Sequence, residues 1–490
     1  MSSAGDVLET RLRVGGTWRD AAGGATRPVI NPATEAEVAQ VAEAAPEDVD
    51  DALKAAASAQ PGWQRLTWPE RAVFLLRIAG LIRRDAEVLA RLVVTEQGKP
   101  LSLARGEVDF AARFFEYFAS FARAATGEIM ESENHDQQVW IRGLPHGVVA
   151  GIIAWNFPAA LFARKVAPAI MAGNAIVVKP HEDTPLTALA LAGLAEEAGI
   201  PAGVVNVVCG AGQVAGEALV RNPITRMVSL TGSVRAGREI ARTAADDLTV
   251  ISLELGGKAP FIVLDDADLD RAVAAAVSAR FSNCGQVCTS NERTYVHRRI
   301  AGRFTDAFVA RARQLQLGDP LAAETDIGPK VNSAELEKVE RMVTAAQQDG
   351  AQIVLGGSRP PAEQFSRGFW YLPTVLGDVR NDMEIMQQEV FGPVAAIMPF
   401  DDLDEAITLA NDTRYGLSAY IYSNDLSATM RLLDELHCGE VYVNNVGPEQ
   451  VQGYHSGTGL SGYGGDDGRR GLERYLRHQT VYMSYGPGSG

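Results

Sequence analysis

Cysteine is scarce in this chain. The 490 residues include four cysteines, at positions 209, 284, 288 and 438. Only Cys284 and Cys288 lie close together, and no cluster of histidines accompanies them. This arrangement predicts neither a disulfide framework nor a zinc site. We therefore expect a protein of the reducing cytoplasm with no bound metal.

Positive charge and long apolar segments are also in short supply. Lys and Arg number 45 against 61 Asp and Glu, which gives a formal net charge of −16. A strongly acidic surface does not attract nucleic acid or anionic membranes, so we expect neither as a partner. The first residues, MSSAGDVLETRLRV, lack the apolar core of a signal peptide. The most apolar stretch, 147–163, is short for a membrane span and is interrupted by Asn156 and Pro158.

Length and apolar patterning give the expected fold class. A chain of 490 residues is too long for one compact core, so we expect two or three domains. Between residues 148 and 253, apolar runs alternate with helical stretches, which predicts a doubly wound parallel sheet of the α/β class. Such sheets bind ligands at the carboxyl ends of their strands. The predicted strands are 148–154, 174–178, 204–208, 227–230 and 249–253, and the predicted helices are near 159–172, 185–198, 213–221 and 234–244.

One predicted helix has clear boundary signals. Thr184 is expected to be its N-cap, Pro185 its first residue, and Gly199 follows its end. After Lys258 a second α/β pattern begins. Its predicted strands lie near 260–264, 294–297, 352–355, 394–400, 418–422 and 440–444.

Two β-like segments stand outside these patterns. Residues 127–145 interrupt the first α/β pattern and are predicted to form a protruding ribbon, and residues 478–485 form another β-like run near the end of the chain. Strands with unpaired edges invite pairing with another chain. Because closed symmetry is the usual outcome, we expect a homo-oligomer, either a dimer or a tetramer.

A thiol and a carboxylate are the first candidates for chemistry. Cys288 lies in a stretch rich in turn residues, Gly285-Gln286-Val287-Cys288-Thr289, and Glu254 ends an apolar strand just before Gly256-Gly257. A cysteine can act as a nucleophile when it is a thiolate, and a partly desolvated carboxylate can act as a general base. Taken alone, either residue would more often be structural. Cys209, Cys284 and Cys438 are expected to be packing residues.

An amide donor is the third catalytic candidate. Asn156 follows the first predicted parallel strand in the segment Trp155-Asn156-Phe157-Pro158. Its side chain could donate a hydrogen bond to a developing oxyanion, with the backbone N–H of the nucleophile as a second donor. The competing interpretation is a turn residue before Phe-Pro.

Dinucleotide signals follow two other predicted strands. The spacing of Gly210-x-Gly212-x-x-x-Gly216 departs from the usual fingerprint and is weak evidence. Gly232 and Ser233 stand between a strand and a helix, where backbone N–H groups could receive a pyrophosphate. In Lys179-Pro180-His181-Glu182, the acid can accept from ribose hydroxyls and would repel a 2′-phosphate, which favours NAD over NADP.

As a set, these segments resemble the aldehyde dehydrogenase superfamily over nearly the full chain. A further matching segment is Glu389-Val390-Phe391-Gly392-Pro393-Val394. The resemblance implies an NAD-binding domain (1–126 and 146–256), a catalytic domain (257–460), and an oligomerisation ribbon and tail (127–145 and 461–490).

The resemblance also implies roles for individual residues. The catalytic set has a nucleophile, a base, an oxyanion donor and a nearby lysine, which are Cys288, Glu254, Asn156 and Lys165. The cofactor set contacts the adenosine ribose, the pyrophosphate, the nicotinamide and its ribose, and consists of Trp155, Lys179, Glu182, Gly232, Ser233, Leu255, Glu389 and Phe391. The substrate set walls the aldehyde tunnel and consists of Arg164, Phe157, Glu449 and His455.

Within the superfamily the likeness is greatest to lactaldehyde and glycolaldehyde dehydrogenases. Many relatives carry aromatic residues where this chain has Arg164, Glu449 and His455. Polar walls disfavour a long apolar substrate and favour a short aldehyde with hydroxyl groups. Alternatively, Arg164 and Glu449 pair with each other and leave the pocket. Other open interpretations are a semialdehyde or sulfo-aldehyde dehydrogenase, an acyl-CoA-forming enzyme, and a catalytically silent structural member of the fold.

Overall fold

The computed structural model describes residues 8–124, 127–447 and 449–485. In chain order, the strands of these ranges are β1 (Leu12–Val14), β2 (Thr17–Arg19), β3 (Thr26–Ile30), β4 (Glu37–Ala42), β5 (Glu128–Glu131), β6 (Gln137–Pro145), β7 (Val148–Ile152), β8 (Ala175–Lys179), β9 (Val205–Val207), β10 (Thr225–Thr231), β11 (Val250–Glu254), β12 (Ala259–Val263), β13 (Asn291–His297), β14 (Gln352–Leu355), β15 (Thr374–Gly377), β16 (Val394–Phe400), β17 (Tyr415–Gly416), β18 (Ser418–Tyr422), β19 (Glu440–Val443), β20 (Thr458–Gly459), β21 (Gly462–Tyr463) and β22 (Leu476–Ser484).

Helices cover the sheets and fill the connections between strands. In chain order, they are α1 (Pro46–Arg65), α2 (Trp68–Arg84), α3 (Ala86–Gln97), α4 (Leu101–Ala119), α5 (Pro158–Met171), α6 (Leu186–Glu197), α7 (Glu217–Arg221), α8 (Val234–Ala244), α9 (Leu269–Phe281), α10 (Arg298–Ala312), α11 (Ser333–Gln348), α12 (Glu384–Gln387), α13 (Leu403–Asn411), α14 (Leu426–Glu435) and α15 (Gly468–Arg474).

The first sheet contains the predicted doubly wound strands. Its order is β2-β1-β9-β8-β7-β10-β11-β21. The five central strands, from β9 to β11, run parallel, and β1, β2 and β21 add antiparallel edges. Each of the five strands predicted between residues 148 and 253 is present in this sheet. Because their side chains are buried on both faces, continuous apolar runs are the expected sequence signal.

The second sheet has the order β14-β15-β16-β13-β12-β18-β19, and all of its pairs except β14–β15 are parallel. Side chains of β12 alternate between the two faces of the sheet. Phe261 and Val263 enter one apolar core, whereas Ile262 enters the other. Because alternate side chains enter different cores, both faces of the sheet are covered by helices, as in the first sheet.

A third, smaller sheet joins the predicted ribbon to the chain's end. Its order is β22-β6-β5, and β22 pairs with β6 over nine positions, from Leu476 opposite Pro145 to Ser484 opposite Gln137. The ribbon and the end of the chain therefore pair with each other within one molecule. The outer edges of β5 and β22 remain the free edges of this sheet.

The predicted N-cap of α6 is wrong. The helix begins at Leu186, and the buried Thr184 hydroxyl has no hydrogen-bond partner within the described ranges. The Glu96 carboxylate instead accepts from the backbone N–H groups of Leu186 at 2.7 Å and Thr187 at 2.9 Å. A residue 90 positions earlier thus replaces the expected local cap.

Candidate active site

The candidate base lies at the carboxyl end of β11. Glu254 is 1% exposed, and neither of its carboxylate oxygens has a hydrogen-bond partner among the described residues. Burial raises the pKa of Glu254 to about 8. A buried carboxyl group without fixed donors is free to take a proton from water, so this environment suits a general base.

The candidate nucleophile lies on an irregular loop between α9 and β13. Asn283 and Cys284 both have positive φ angles, 50° and 57°, which turn the loop sharply before Gly285. Cys288 is partly exposed, whereas Cys284 is buried. Burial raises the pKa of Cys284 to about 11, which keeps that thiol unreactive at neutral pH.

A glycine allows the base and nucleophile segments to approach. A Cβ atom at Gly257 would lie 2.3 Å from the backbone oxygen of Cys288. No other residue type would permit this contact without moving one of the two segments. The Gly-Gly pair after Glu254 therefore brings the end of the first sheet against the loop that leads into β13 of the second sheet.

Asn156 adjoins the nucleophile loop. Its Nδ2 donates to the backbone oxygen of Gln286 at 3.1 Å, and its own carbonyl accepts from Lys99 Nζ at 2.8 Å and from Asn283 Nδ2 at 3.1 Å. An amide nitrogen carries two hydrogens, so one remains for a substrate oxygen. The predicted oxyanion donor is thus next to the predicted nucleophile.

A buried ion pair that the motifs did not reveal holds Asn156 in place. Lys99 Nζ bonds Glu107, and both side chains are fully buried. Glu107 also accepts from the backbone N–H of Ala159 at 2.7 Å, in the first turn of α5. The pair therefore fixes both the carbonyl of Asn156 and the helix that follows it. The Lys99 ammonium also lies 3.8 Å from the ring centre of Phe157, a predicted substrate residue.

The predicted pyrophosphate site lies between β10 and α8. The N–H of Gly232 donates to the Glu254 carbonyl at 2.9 Å, and the Ser233 hydroxyl accepts from the N–H of Ala236 at 3.2 Å as the N-cap of α8. Leu255 packs against this helix, since a Cβ at Gly237 would lie 2.7 Å from its methyl groups.

Polar side chains also lie at the carboxyl ends of two strands, β8 and β10. Lys179 ends β8, and its Nζ lies 3.5 Å from Glu182 Oε2 and 2.8 Å from the Pro180 oxygen. Burial lowers the pKa of Lys179. The buried Thr231 hydroxyl has no partner in the part of the chain described. A polar atom left unpaired at a strand end suits a dinucleotide with hydroxyl and phosphate groups.

The predicted nicotinamide residues contact the segment after Glu254 and the Trp155 ring. Glu389 Oε1 accepts from the N–H of Gly257 at 3.0 Å, and burial raises the pKa of Glu389 to about 7. Phe391 has a positive φ of 55°, and its ring meets Trp155 edge to face at 5.3 Å.

The turn that carries Glu389 and Phe391 is fixed by Glu292 of β13. Its carboxylate accepts from the N–H groups of Val390 at 2.8 Å and Phe391 at 2.7 Å, and it pairs with Lys258 Nζ at 2.7 Å. Sequence reasoning gave Glu292 no role, although it lies only four residues after Cys288. Its backbone partners are 98 and 99 positions away and Lys258 is 34 positions away, so no local pattern could reveal it.

Three of the four predicted substrate residues, Arg164, Glu449 and His455, lie in a buried cluster of charges. One Arg164 nitrogen donates to Glu449 Oε1 and to Asp467 Oδ2, at 2.7 Å each. Lys165 Nζ bonds Asp466 Oδ2 at 2.5 Å. Arg164 and Glu449 thus pair, as the alternative interpretation supposed. Burial would raise the pKa of Glu449, but the Arg164 charge brings it down to about 2.

His455, the third of these residues, lies beside the candidate base. Its Nε2 lies 3.5 Å from Glu254 Oε2, and its Nδ1 lies 3.1 Å from Glu440 Oε1. Glu440 and Asp466 have no motif that would have identified them. The roles of all these residues remain predictions that follow from the sequence and agree with this geometry.

Residues 8–124, 127–447 and 449–485 contain neither a metal site nor a membrane-spanning helix. We find no group of His, Cys, Asp or Glu side chains there that is arranged to hold a metal ion. None of the helices in those ranges has the length and apolar character needed to span a membrane.

Comparison with known proteins places this site in a family. The model of the aldehyde dehydrogenase family matches residues 18–481. A 3,6-anhydro-alpha-L-galactose dehydrogenase of Vibrio sp. (strain EJY3) is 46% identical over 475 residues, which are 97% of this chain and 99% of the relative. A lactaldehyde dehydrogenase of Escherichia coli (strain K12) is 44% identical over 469 residues, which are 95% of this chain and 96% of the relative.

Solved structures agree. A 3,6-anhydro-L-galactose dehydrogenase in complex with NAP superposes with a TM-score of 0.95 and 47% identity, covering 96% of this chain and 99% of that one. The family and the α/β fold class predicted from the sequence are confirmed. The chain belongs to the aldehyde dehydrogenase family and is an aldehyde-oxidising enzyme with a nicotinamide dinucleotide of the NAD type as its cofactor.

Proposed function

We propose that this enzyme oxidises short aldehydes with a hydroxyl group on the carbon next to the aldehyde, and that NAD is the preferred hydride acceptor. The observation that carries the proposal is the polar character of the predicted tunnel wall. Arg164, Glu449 and His455 lie together in a buried cluster of charges. A long apolar chain would gain nothing from such a wall, whereas a hydroxyl group can bond to it.

The relatives support the same substrate class. Lactaldehyde carries a hydroxyl on the carbon next to its aldehyde, and so does the open-chain aldehyde of 3,6-anhydrogalactose. The two substrates differ in size, and their shared feature is the 2-hydroxyaldehyde group. We therefore propose this group as the recognised element.

The charge balance at the wall argues against an anionic substrate. Arg164 is the natural partner for the carboxylate of a semialdehyde or for a sulfonate, but it already pairs with Glu449 and Asp467. An anion placed there would face two acids and one guanidinium. A semialdehyde or sulfo-aldehyde is therefore the weaker proposal.

The proposed reaction uses four groups of this chain. The Cys288 thiolate adds to the aldehyde carbon to give a thiohemiacetal, and the Asn156 amide stabilises its oxyanion. Bound NAD supplies the acceptor for the hydride. Glu254 then takes a proton from the water that attacks the resulting thioester, and the carboxylic acid leaves. Lys165, held by Asp466, contributes positive charge beside this site.

Propanal and lactaldehyde make a matched test, because they differ by a single hydroxyl group. We expect kcat/KM for lactaldehyde to exceed that for propanal by about tenfold or more, which corresponds to about 1.4 kcal/mol. Glycolaldehyde, 3,6-anhydrogalactose, hexanal and succinate semialdehyde complete the panel, with and without coenzyme A. Preference for propanal or hexanal would overturn the substrate class, and acyl-CoA formation would overturn the hydrolytic step.

The nucleophile is tested separately with two neighbouring cysteines. Cys288→Ala should abolish turnover and leave NAD binding intact, because the thiol forms the covalent bond to substrate. Cys284→Ala is the matched control and should retain most of the activity, since that thiol is buried and protonated. An inactive Cys284→Ala beside an active Cys288→Ala would refute the assignment.

A further inference from the structure

His455 is arranged like the middle member of an acid–histidine–thiol triad. Its Nδ1 lies 3.1 Å from Glu440 Oε1, and the Cys288 thiol is near enough to the ring to interact with it. In such triads, a carboxylate orients the imidazole, and the imidazole in turn bonds the nucleophile. The substrate role predicted from the sequence does not account for this arrangement.

Backbone and packing hold the imidazole in this position. The N–H of His455 donates to the Asp466 carbonyl at 3.0 Å, and the N–H of Asp466 donates back to the His455 carbonyl at 2.8 Å. The His455 side chain is 2% exposed. The two backbone hydrogen bonds fix the main chain at His455, and burial restricts the ring. The ring nitrogens therefore stay directed at the same partners.

The charges around the ring favour its protonated form. Burial alone would lower the pKa of His455, but the Glu440 carboxylate and the interaction with the Cys288 thiol raise it well above its usual value. Arg164 is the opposing cation. The other charged groups that interact with the ring are acids from three further segments of the chain, namely Glu254, Glu449 and Asp467.

We propose that His455 is a catalytic residue that accepts the Cys288 thiol proton and keeps the nucleophile as a thiolate paired with an imidazolium. The S–H bond breaks, an N–H bond forms at Nε2, and the electron pair stays on sulfur. Nδ1–H donates to Glu440, which leaves Nε2 as the acceptor. The proposal rests on Cys288 being the nucleophile.

The proton on His455 is not consumed in turnover. The thiolate adds to the aldehyde carbon, and when the thioester is hydrolysed the C–S bond breaks and the sulfur leaves as a thiolate again. The imidazolium is in place to stabilise that leaving group. Glu254 then has the separate role of taking the proton from the attacking water. Its Oε2 lies 3.5 Å from Nε2 of the imidazolium.

The test measures the reactivity of Cys288 in the full-length enzyme without substrate or cofactor. The probe is iodoacetamide, which is uncharged and reacts with the thiolate, and the rate of Cys288 labelling is followed by peptide mass spectrometry between about pH 5.5 and 9.5. Because no substrate is present, a role of His455 in binding hydroxyl groups would not change this rate.

His455→Gln keeps a hydrogen-bonding side chain but cannot carry the proton. We expect it to lower the labelling rate about tenfold or more near pH 6.5 and to shift the pH of half-maximal labelling upward by about one unit or more. The rates should converge near about pH 9.5, where any cysteine is ionised. Glu440→Gln should shift the profile in the same direction by a smaller amount. His437→Gln, the same substitution at an exposed histidine, should match the wild type.

Each outcome decides a separate point. A wild-type profile in His455→Gln would refute the proposal, and a shift found only in Glu254→Gln would assign the proton to Glu254 instead. If His455→Gln does not fold, an unchanged profile in Glu440→Gln is sufficient to refute it. If Cys288→Ala retains turnover, the nucleophile itself is wrong, which is a failure of the proposed function.

Discussion

At the scale of single residues, the buried carboxyl of Glu254 predicts both a mutant phenotype and a pH dependence. Its pKa of about 8 means that the carboxylate, the form that activates water, increases as pH rises through 8. Thioester hydrolysis should therefore accelerate through about pH 8, where its rate is half-maximal, and level off above about pH 9. Glu254→Gln should give a single burst of NADH, followed by a steady state slower by about a hundredfold or more.

Stopped-flow absorbance of NADH separates the two phases. Without the burst, Glu254 would act before hydride transfer, on Cys288 or on the shape of the site. A steady-state rate of the wild type that does not change between about pH 6.5 and 8.5 would mean that hydrolysis does not limit turnover or that Glu254 is not the base.

Glu182 predicts the choice between the two dinucleotides. Its carboxylate lies 3.5 Å from Lys179 Nζ and should accept from the adenosine ribose while repelling a 2′-phosphate. Glu182→Gln should weaken NAD binding and narrow the preference for NAD over NADP by about tenfold, or about 1.4 kcal/mol. Asp183→Asn is the matched control, because that carboxylate accepts from Asn332 at 2.8 Å.

Fluorescence titration with both dinucleotides measures this effect. The choice of dinucleotide needs this measurement, because one solved relative is in complex with NAP. A wild-type preference for NADP would contradict the role of Glu182, and the neighbouring His181 would become the candidate for phosphate contact.

At the scale of elements, Glu292 links β13 to the turn that carries Glu389 and Phe391. Burial would raise its pKa, but the Lys258 and Arg280 charges outweigh burial and lower it to about 2, below the usual 4.5. A lowered folded-state pKa means that the stabilisation is complete above about pH 4.5 and is lost as pH falls toward 2.

Glu292→Gln should therefore destabilise the protein by about 3 kcal/mol at pH 7, because it leaves Lys258 buried without its counter-charge. Urea midpoints measured at pH 7 and near pH 3 test this, and the difference between mutant and wild type should shrink at the lower pH. Glu384→Gln is the control, since its partner Arg341 is on the surface. Equal midpoints for Glu292→Gln and wild type at pH 7 would contradict the prediction.

The strands and helices could largely be predicted from the sequence, but the long-range polar contacts that hold them could not. Strands β7, β8, β10 and β11 lie close to the predicted apolar runs because burial on both faces leaves a continuous signal. The sequence predicts Thr184 as the N-cap of α6 because N-caps are usually local, but Glu96 accepts from the first N–H group of that helix from 90 positions away.

In the candidate site, too, residues that belong to motifs were predictable, and residues defined by distant partners were not. Cys288, Glu254 and Asn156 belong to recognisable segments, and the structure brings those segments together. Lys99 and Glu440 belong to no motif, because each is defined by a partner that only the fold brings near. A single sequence carries no record of such pairs.

At the scale of the whole molecule, the sheet of β5, β6 and β22 predicts assembly. Met130 is 39% exposed and Tyr482 is 70% exposed, and both lie in one cross-strand row with Val139 between them. Such an apolar row beside two free strand edges is typical of a surface that pairs with another chain. We expect a dimer or a tetramer in solution.

Light scattering of the purified protein tests this assembly. The double variant Met130→Asp, Tyr482→Asp should shift the mass toward monomer, because it places two charges in the row. Val88→Asp changes an exposed residue of α3 and serves as the control. A wild-type protein that is monomeric at micromolar concentration and fully active would contradict the prediction.

The close approach at Gly257 has a practical consequence for this chain. Glu254 ends a strand of the first sheet, whereas Cys288 belongs to the loop that leads into β13 of the second. A gene divided between these two positions would encode one fragment with the base and one with the nucleophile, each inactive alone. Fluorescence of NADH would then report that the fragments had met, and every turnover would amplify the signal. The chain is thus a starting point for a split-enzyme reporter of molecular proximity.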